Sequence, residues 1–554
     1  MKSRDGFEEV NRELREGAWL DDAVSRRAML QALGLTAAGL AAGLPLSMPG
    51  VAHGQTPKRG GTIKIGSFQN IDTLDAHNTT FITACSIHNN IYNGLLKITS
   101  TDGKSVDFKP ELAREWEIQG DRVHVFRLHK GVTFHNGDPC TSADIKWNLE
   151  RVKDKTQAPI HAWKLALLES IETPDPLTIK LSFAKPYPFL RVAFTGSTGR
   201  AATILSPRAV KEKGKAYGRS PVGTGPFKFV EWKEGDFILL ERFADYWEKD
   251  AAGGKLPYLD KVLFKFIIEP STLVAALRTG EVDGINNVAP QFVADLRKDP
   301  KLTVSTAVGG NWRCMHMNLA KEPFSDKNLR KAVTFALDRQ EILSRVQFGE
   351  GIVAHGPLSP PMGGFYDAAF ETGKNGQYFD LEQAKQLVKQ SKYASGAEVL
   401  LLSNNSGIDP RQAEVVQAQL AKIGIKVNIE LADSPTFRRR WLQEKQWDLV
   451  QIQWDADLDP DETLYPELHS GEAWNAGRWV NADFDKMVEG ARSEADFKKR
   501  KKFYEEAVRL IIEDAPVVIL LHMNELKIFH KYVKGFQMIP AGLTDMHRVW
   551  LDKA

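Results

Sequence analysis

Cysteine is scarce in this chain: Cys85, Cys140 and Cys314 are the three in 554 residues. No two of them stand in a CxxC pair or in another metal-ligand spacing. An odd number allows at most one internal disulfide, and the spacing leaves open whether one forms. We expect all three cysteines to be small, buried residues.

An excess of charge of either sign is also missing. The 73 Lys and Arg residues nearly balance the 71 Asp and Glu residues, and the formal net charge is +2. A nucleic-acid partner requires a concentrated basic surface, so this balance argues against one. The 13 histidines are scattered without i,i+4 pairs, and we expect neither a resident metal nor another cofactor.

The signatures of several enzyme classes are absent. The chain contains no HExxH, no GxSxG and no dinucleotide-binding glycine fingerprint. Ser182 and Lys185 have the SxxK spacing of acyl-enzyme hydrolases, but they fall in an alternating, strand-like stretch. That motif needs a helical turn to bring Lys to Ser. The sequence therefore favours a binding protein, with a hydrolase as a remote alternative.

The N-terminal region carries a readable export signal. Ser25-Arg26-Arg27 is a twin-arginine pattern, and an apolar run rich in Gly, Ala and Leu follows over residues 29–46. Small residues precede Gln55 at the −3 and −1 positions of a cleavage site. We predict that residues 1–54 are a twin-arginine signal peptide and that the mature chain acts in the periplasm. A retained membrane anchor is the alternative.

Strand and helix patterns alternate in the mature region. The capping box Thr141-Ser-Ala-Asp144 predicts the start of a helix. Further on, residues 399–402 form a short apolar run, 409–423 a helix with one apolar face, and 425–431 an alternating strand. This order implies a parallel sheet with a right-handed crossover. The predicted fold class is α/β.

An acidic turn follows a strand late in the chain. Residues 449–454 alternate as on a half-buried strand that ends at Trp454, and five carboxylates follow within the eight residues 455–462. A strand that delivers an aromatic ring and a carboxylate to its end can build a ligand crevice. Turn chemistry is the alternative, because Asp hydrogen-bonds its own backbone. A basic run at 498–502 is interpreted as a solvated helix face.

Several further blocks follow one another in order between residues 60 and 550: 112–117, 125–139, 141–151, 222–227, 277–283, 329–339, 356–360 and 454–460. Together they resemble the extracytoplasmic solute-binding proteins of family 5, the oligopeptide-, dipeptide- and nickel-binding receptors of ABC importers. The match is long, which makes it far more specific than a short motif.

This resemblance implies a two-lobed periplasmic-binding-protein fold of type II, enlarged by an extra subdomain, with a hinge between the lobes. By analogy, the first lobe comprises residues 55–310 with an insert at about 97–205, and residues 516–554 complete it. The second lobe comprises residues 311–515. The extended segments at the two boundaries are interpreted as hinge crossings.

The resemblance also implies ligand contacts. Asp457 matches the position whose carboxylate pairs with the ligand's α-ammonium in peptide-binding members, and Arg313 is a candidate partner for a ligand carboxylate. The other candidates lie beside the acidic turn, just past a hinge, in the loop after the turn and in first-lobe loops: Trp454; Trp312; Asn475, Arg478 and Trp479; Asn70, Tyr92, Asn93 and Gly94.

We therefore expect a periplasmic substrate-binding protein that captures a small solute between its lobes and delivers it to the transmembrane subunits of an ABC permease. A peptide or amino-acid-derived compound is the expected ligand, while nickel chelates, opines and glycans stay open within the family. A monomer is expected, since these receptors are usually monomers. A periplasmic sensor or chaperone on the same scaffold is the alternative function.

Overall fold

The computed structural model describes residues 56–79, 81–100, 102–103, 106–157, 160–196, 199–369, 375–455 and 458–553. The predicted signal peptide, residues 1–54, lies outside these ranges. So does Asp457.

The part of the chain before residue 310 contains twelve strands and six α-helices among the described residues. The strands are β1 (Thr62–Ser67), β2 (Leu96–Thr99), β3 (Asp107–Pro110), β4 (Ala113–Gln119), β5 (Val123–Leu128), β6 (Leu168–Asp175), β7 (Thr178–Phe183), β8 (Phe227–Lys233), β9 (Phe237–Arg242), β10 (Lys261–Phe266), β11 (Gly284–Ile285) and β12 (Leu302–Val308). The helices are α1 (Ile82–Ile91), α2 (Ser142–Lys153), α3 (Leu190–Ala193), α4 (Pro207–Lys213), α5 (Pro270–Thr279) and α6 (Val293–Leu296).

The rest of the chain adds longer helices. Its strands are β13 (Trp312–Met317), β14 (Gly351–Val353), β15 (Ala397–Asn404), β16 (Ile425–Ala432), β17 (Leu449–Trp454), β18 (Val517–His530), β19 (Val533–Lys534) and β20 (Trp550–Leu551). Its α-helices are α7 (Lys327–Ala336), α8 (Arg339–Arg345), α9 (Leu381–Gln390), α10 (Asp409–Ala421), α11 (Ser434–Arg439), α12 (Pro460–Leu468), α13 (Ala482–Arg492) and α14 (Phe497–Asp514).

One long strand joins the two halves of the main sheet. The order of that sheet is β16-β15-β17-β13-β18-β11-β1-β10-β9-β8, with β12 and β14 also paired to β18. The first half of β18 pairs with β13 and β14, and its second half pairs with β12 and β11. We call the part around β1 and β8–β12 the first lobe and the part around β13–β17 the second lobe. The lobes thus share β18.

A separate antiparallel sheet, β4-β5-β7-β6, belongs to the first lobe. Helix α2 packs against it and begins as the capping box predicts, because the Asp144 side chain accepts a hydrogen bond from Thr141 N at 2.8 Å. The buried side chains of this sheet, of α2 and of the following loops form one apolar cluster.

The strand–helix–strand prediction is confirmed in the second lobe. Strands β15 and β16 pair in parallel from Ala397 with Ile425 to Asn404 with Ala432, and α10 connects them. Apolar clusters lie on both faces of this sheet. The expectation of a half-buried β17 is therefore wrong, because its residues 449–452 are all buried.

The basic run of α14 contains an exception to the predicted solvated face. Arg500 is 1% exposed, whereas Lys498 and Lys499 are exposed. Its guanidinium donates to both carboxylate oxygens of Asp459, at 2.8 and 2.7 Å. The sequence prediction missed this pairing because the two residues are 41 positions apart.

The three cysteines are small buried core residues, and no disulfide joins any two of them. Among the described residues, no helix is long and apolar enough to cross a membrane.

Candidate functional site

A cavity of about 190 Å³ lies between the two lobes. A single water molecule needs about 10–15 Å³ of cavity volume, so this cavity has room for a small solute. The first lobe and the crossing segment line one side with Ile160, His161, Trp163, Arg200, Gly310, Asn311, Glu525 and Ala541. The second lobe lines the other side with Arg438, Trp441, Gln453, Trp454, Asp455, Glu462, Pro466 and Trp474.

Tryptophan rings form the apolar wall of the second-lobe side. Trp454, at the end of β17, meets Trp474 edge to face with ring centroids 5.4 Å apart, and Trp441 lies 5.8 Å from Trp474. Trp454 is held in place because its Nε1 donates to Glu462 O at 3.0 Å. The Arg438 guanidinium lies 5.4 Å from the Trp474 ring centroid. A flat or apolar group of a solute can therefore pack on a preformed aromatic surface.

Charged groups of both signs reach the same cavity. Asp455 accepts a hydrogen bond from Gln453 Nε2 at 2.7 Å, and Glu525 accepts one from Asn311 Nδ2 at 2.9 Å. Burial raises the pKa of Glu525 above its ordinary value. Arg438 and Arg200 supply positive charge from opposite sides. A lining with both signs suits a solute that carries an ammonium and a carboxylate.

His161 contributes a neutral ring to the first-lobe side. Its Nε2 lies 3.1 Å from Thr79 O, so the ring donates there. Burial and the nearby Arg200 and Lys164 charges hold the pKa of His161 well below its ordinary value. The ring therefore stays uncharged at neutral pH.

The acidic turn before α12 is bound by cations of the protein itself. Besides binding Arg500, Asp459 caps α12 by accepting from Asp461 N at 2.9 Å. Asp461 lies 3.3 Å from Arg492 Nε in an ion pair. Asp459 and Asp461 thus have partners within the protein. Glu462, the third carboxylate here, pairs with Lys164.

An ion pair connects the lobes beside the cavity. Lys164 Nζ of the first lobe lies 2.8 Å from Glu462 Oε2 of the second, and the two side chains are 1% and 8% exposed. Arg492 donates to Trp163 O at 3.5 Å, and Leu458 packs into the apolar cluster of the first lobe. The structure is therefore a closed form, in which the second lobe's acidic turn docks on the first lobe.

Of the residues predicted to bind ligand, Trp454 lines this cavity. Asp457, the principal candidate, lies outside the described residues. Its neighbours Asp455 and Leu458 stand at the cavity and at the interlobe contact. The predicted role of Asp457 thus stays a prediction.

The candidates just past the crossing segment are internal. Trp312 is fully buried in the core between β13 and the helices. Arg313 is 3% exposed, and its Nε donates to Gln412 Oε1 at 2.8 Å while its Nη2 pairs with Asp409. In this closed form, the Arg313 guanidinium is bound inside the second lobe.

Two predicted ligand-binding residues in the loop after the acidic turn, Asn475 and Trp479, instead stabilise the loop itself. Asn475 accepts from Trp479 N at 3.0 Å and donates to Trp479 O at 2.7 Å. Trp479 is buried, and its Nε1 donates to Asp514 Oδ2. Arg478 is exposed. These contacts place Trp474 of the same loop at the cavity.

The first-lobe candidates differ in exposure. The Tyr92 hydroxyl donates to a backbone carbonyl at 2.7 Å, and Asn93 Nδ2 donates to Glu111 at 2.9 Å. Gly94 N donates to the same carboxylate at 2.5 Å. Asn70 is exposed. None of the four is among the cavity-lining residues.

Sequence reasoning missed most of the cavity. His161 and Trp163 lie between α2 and β6, Arg200 lies after α3, and Trp441 and Arg438 lie around α11. The abundance of tryptophan, 13 residues, was the available signal, but it does not say which rings face a cleft.

Two lobes that share a long strand and enclose a polar–aromatic cavity define the class of periplasmic binding proteins, whose lobes close over a solute. Within that class, the chain belongs to the bacterial extracellular solute-binding proteins, family 5, whose model matches residues 107–475. It is thus an extracytoplasmic substrate-binding protein of an ABC transporter.

Individual relatives support this assignment over nearly full length. The chain is 26% identical over 517 residues to the glutathione-binding protein GsiB of Pectobacterium atrosepticum, covering 91% of this chain and 96% of that protein. It is 29% identical over 521 residues to the oligopeptide-binding protein AppA of Bacillus subtilis, covering 90% and 93%.

Solved structures agree with the fold. The periplasmic binding protein DppA of Helicobacter pylori, in complex with the peptide STSA, superposes with a TM-score of 0.79 at 27% identity, covering 90% of this chain and 99% of that one. The binding protein AgaA of A. tumefaciens, in complex with agropinic acid, gives 0.77 at 26% identity, covering 89% and 99%. The predicted two-lobed fold and family are confirmed.

Proposed function

We propose that this protein captures a short peptide or another amino-acid-derived zwitterion in the interlobe cavity and delivers it to an ABC permease. The observation that carries the proposal is the lining of the cavity. Tryptophan rings form its walls, Arg438 and Arg200 supply positive charge, and Asp455 and Glu525 supply acidic groups. Opposite charges held in one small enclosed space discriminate a zwitterion from a neutral solute.

The relatives support the same ligand class. The proteins named above bind glutathione, oligopeptides, the peptide STSA and agropinic acid. In this proposal the cavity performs binding without bond making or breaking. Its closed lobes hide the solute from water until a permease opens them.

The remaining sequence predictions complete the proposal. The mature chain begins near Gln55 after export of the twin-arginine type, and it acts as a monomer in the periplasm. Its first lobe comprises residues 55–310 with an insert at about 97–205 and is completed by 516–554, and residues 311–515 form the second lobe. The shared strand β18 pairs with second-lobe strands up to Met523 and with first-lobe strands from Asn524 onward, which supports a crossing of the chain within this strand.

The test is to identify the bound solute. The mature chain is purified from its native periplasm, and mass spectrometry identifies what is released on unfolding. A thermal-shift screen of the stripped protein then compares dipeptides, tripeptides, opines, glycans and nickel chelates. A solute at 100 times its dissociation constant adds about 2.7 kcal/mol of stability.

We expect peptides or other amino-acid-derived zwitterions to raise the unfolding temperature in this screen. A shift confined to glycans would overturn the ligand class while leaving the family assignment intact.

A further inference from the structure

A compact group of metal-ligand side chains lies in the core of the second lobe, away from the cleft lining. Cys314 and His316 are two residues apart on β13, so both side chains point to the same face of the sheet. Glu467 of α12 packs on that face. The three residues are 0%, 1% and 0% exposed.

The ligand atoms converge on one point. His316 Nε2 lies 2.6 Å from Glu467 Oε1, and Cys314 Sγ lies 3.5 Å from the same oxygen. All three ligand atoms lie within 4.8 Å of one another. Around a tetrahedral zinc with bonds of about 2.0–2.3 Å, ligand atoms stand about 3–4 Å apart. Small side-chain shifts would therefore bring the group to coordination distances.

Two polar atoms of α12 also lack a protein partner. Glu467 Oε2 and Thr463 Oγ1, one helical turn apart, are buried and make no hydrogen bond within the described part of the chain. A buried carboxylate oxygen without a partner destabilises the fold, and an ion or an ordered water commonly relieves that cost.

We propose that Cys314, His316 and Glu467 bind one divalent transition metal of the zinc type. A thiolate, a neutral imidazole and a carboxylate carry two negative charges, which a divalent cation neutralises in the apolar core. On binding, the thiol proton of Cys314 is released to solvent, and His316 coordinates through Nε2 as the tautomer that carries its ring proton on Nδ1. The hydrogen bond between His316 Nε2 and Glu467 Oε1 is then replaced by two bonds to the metal. Three protein ligands leave one tetrahedral position for a water.

The role of such a metal is structural. It would fasten α12 to β13, and α12 also carries Glu462 of the interlobe ion pair. Because the three ligands are enclosed, the metal must enter before the chain folds completely. Export of the folded chain, which the twin-arginine pattern predicts, would allow the metal to be acquired in the cytoplasm.

The test replaces the metal by cobalt. The full chain is produced in minimal medium supplemented with Co²⁺ or with Zn²⁺, and metal content and the absorption spectrum are measured after dialysis. We expect about one metal per chain and, with cobalt, a thiolate-to-metal charge-transfer band. Cys140→Ser, which changes another buried free cysteine, should keep both signals.

Cys314→Ser should lose the charge-transfer band. If that variant fails to fold, Glu467→Gln keeps the side-chain size and should lower the metal content. Folded wild-type protein with no bound metal and no band would overturn the proposal and leave a buried water on Glu467. A band that persists in Cys314→Ser would overturn it as well. Neither result depends on which solute the cleft binds.

Discussion

At the residue scale, the closed form separates acids that hold the protein together from acids that can meet a ligand. Asp459, Asp461 and Glu462 each face a buried cation of the protein. Asp455 remains at the cavity, and Asp457 follows it by two positions. We therefore expect contact with a ligand from Asp455 and Asp457 rather than from these three residues.

Asp457→Asn, which keeps the side-chain shape and removes the charge, should weaken zwitterion binding. Removing one half of a desolvated charge pair costs about 2–5 kcal/mol, or about 30- to several-thousand-fold in affinity. Calorimetric titration measures the change. Asp121→Asn, on an exposed turn, is the control. Equal affinities for both variants would show that the Asp457 carboxylate does not bind the ligand and serves only the local turn.

Adjacent arginines on α11 give a matched pair for the opposite charge. Both are exposed, but Arg438 lines the cavity, whereas Arg439 is not among the lining residues and pairs with Glu444. Arg438→Gln should lower affinity for a solute with a free carboxylate by about tenfold or more, equivalent to about 1.4 kcal/mol. Arg439→Gln should bind like the wild type. If both variants bind alike, Arg438 does not contact the solute.

At the element scale, the start of α12 depends on α14. Arg500 and Asp459 are both buried and paired through two hydrogen bonds. Arg500→Met leaves the Asp459 carboxylate buried without its cation, which should cost about 3–5 kcal/mol of unfolding free energy. Chemical unfolding measures this loss.

The neighbouring exposed Lys499 provides the control, because Lys499→Met should change stability by less than about 0.5 kcal/mol. Adding Asp459→Asn to Arg500→Met should recover part of the loss. Equal stabilities for the Arg500 and Lys499 variants would show that the pair is not stabilising α12.

A second buried network joins the loop after β1 to α2. Arg151 donates to both oxygens of Asp75 and, through Nη1, to His77 Nδ1 at 2.9 Å, while His77 Nε2 donates to Thr203 O at 2.9 Å. Burial and the Arg151 charge lower the pKa of His77 to about 4. Burial opposes ionisation of Asp75, yet the hydrogen bonds from Arg151 lower its pKa to about 2.

These pKa shifts make stability fall in acid. Between pH 6.5 and about 4, unfolded His77 binds a proton that the folded protein excludes, so the unfolding free energy decreases as pH decreases. His77→Gln retains an acceptor for Arg151 and should reduce the slope by about 1.2 kcal/mol per pH unit between pH 6 and 5. Denaturant unfolding at several pH values tests this, and an unchanged slope would contradict it.

At the scale of the whole molecule, the lobes are joined by a charge pair as well as by β18. Lys164→Met removes the cation of this pair from the buried Glu462 carboxylate, which should cost about 3–5 kcal/mol in the closed form unless the lobes open and hydrate the carboxylate. We expect a larger radius of gyration in X-ray scattering and weaker solute binding. Lys155→Met, on an exposed site of the same subdomain, should match the wild type. If Lys164→Met scatters and binds like the wild type, the pair does not set closure.

The sequence predicted the architecture better than the site, for a physical reason. Helix α2 and the unit β15–α10–β16 depend on capping and periodicity, which are local patterns. The cavity depends on contacts between residues far apart, such as Lys164 with Glu462, and no local pattern encodes them. Burial of β17 on both faces likewise depends on helices from elsewhere in the chain. The family resemblance supplied the two lobes that periodicity alone does not specify.

The most direct test of a cleft that selects zwitterions is calorimetric titration of the stripped mature protein with its identified solute. The same solute is then titrated with its amino group acetylated and, separately, with its carboxylate amidated. We predict one site per chain and a loss of affinity of about 30-fold or more for each blocked form. Equal affinity for the free and both blocked forms would contradict the account.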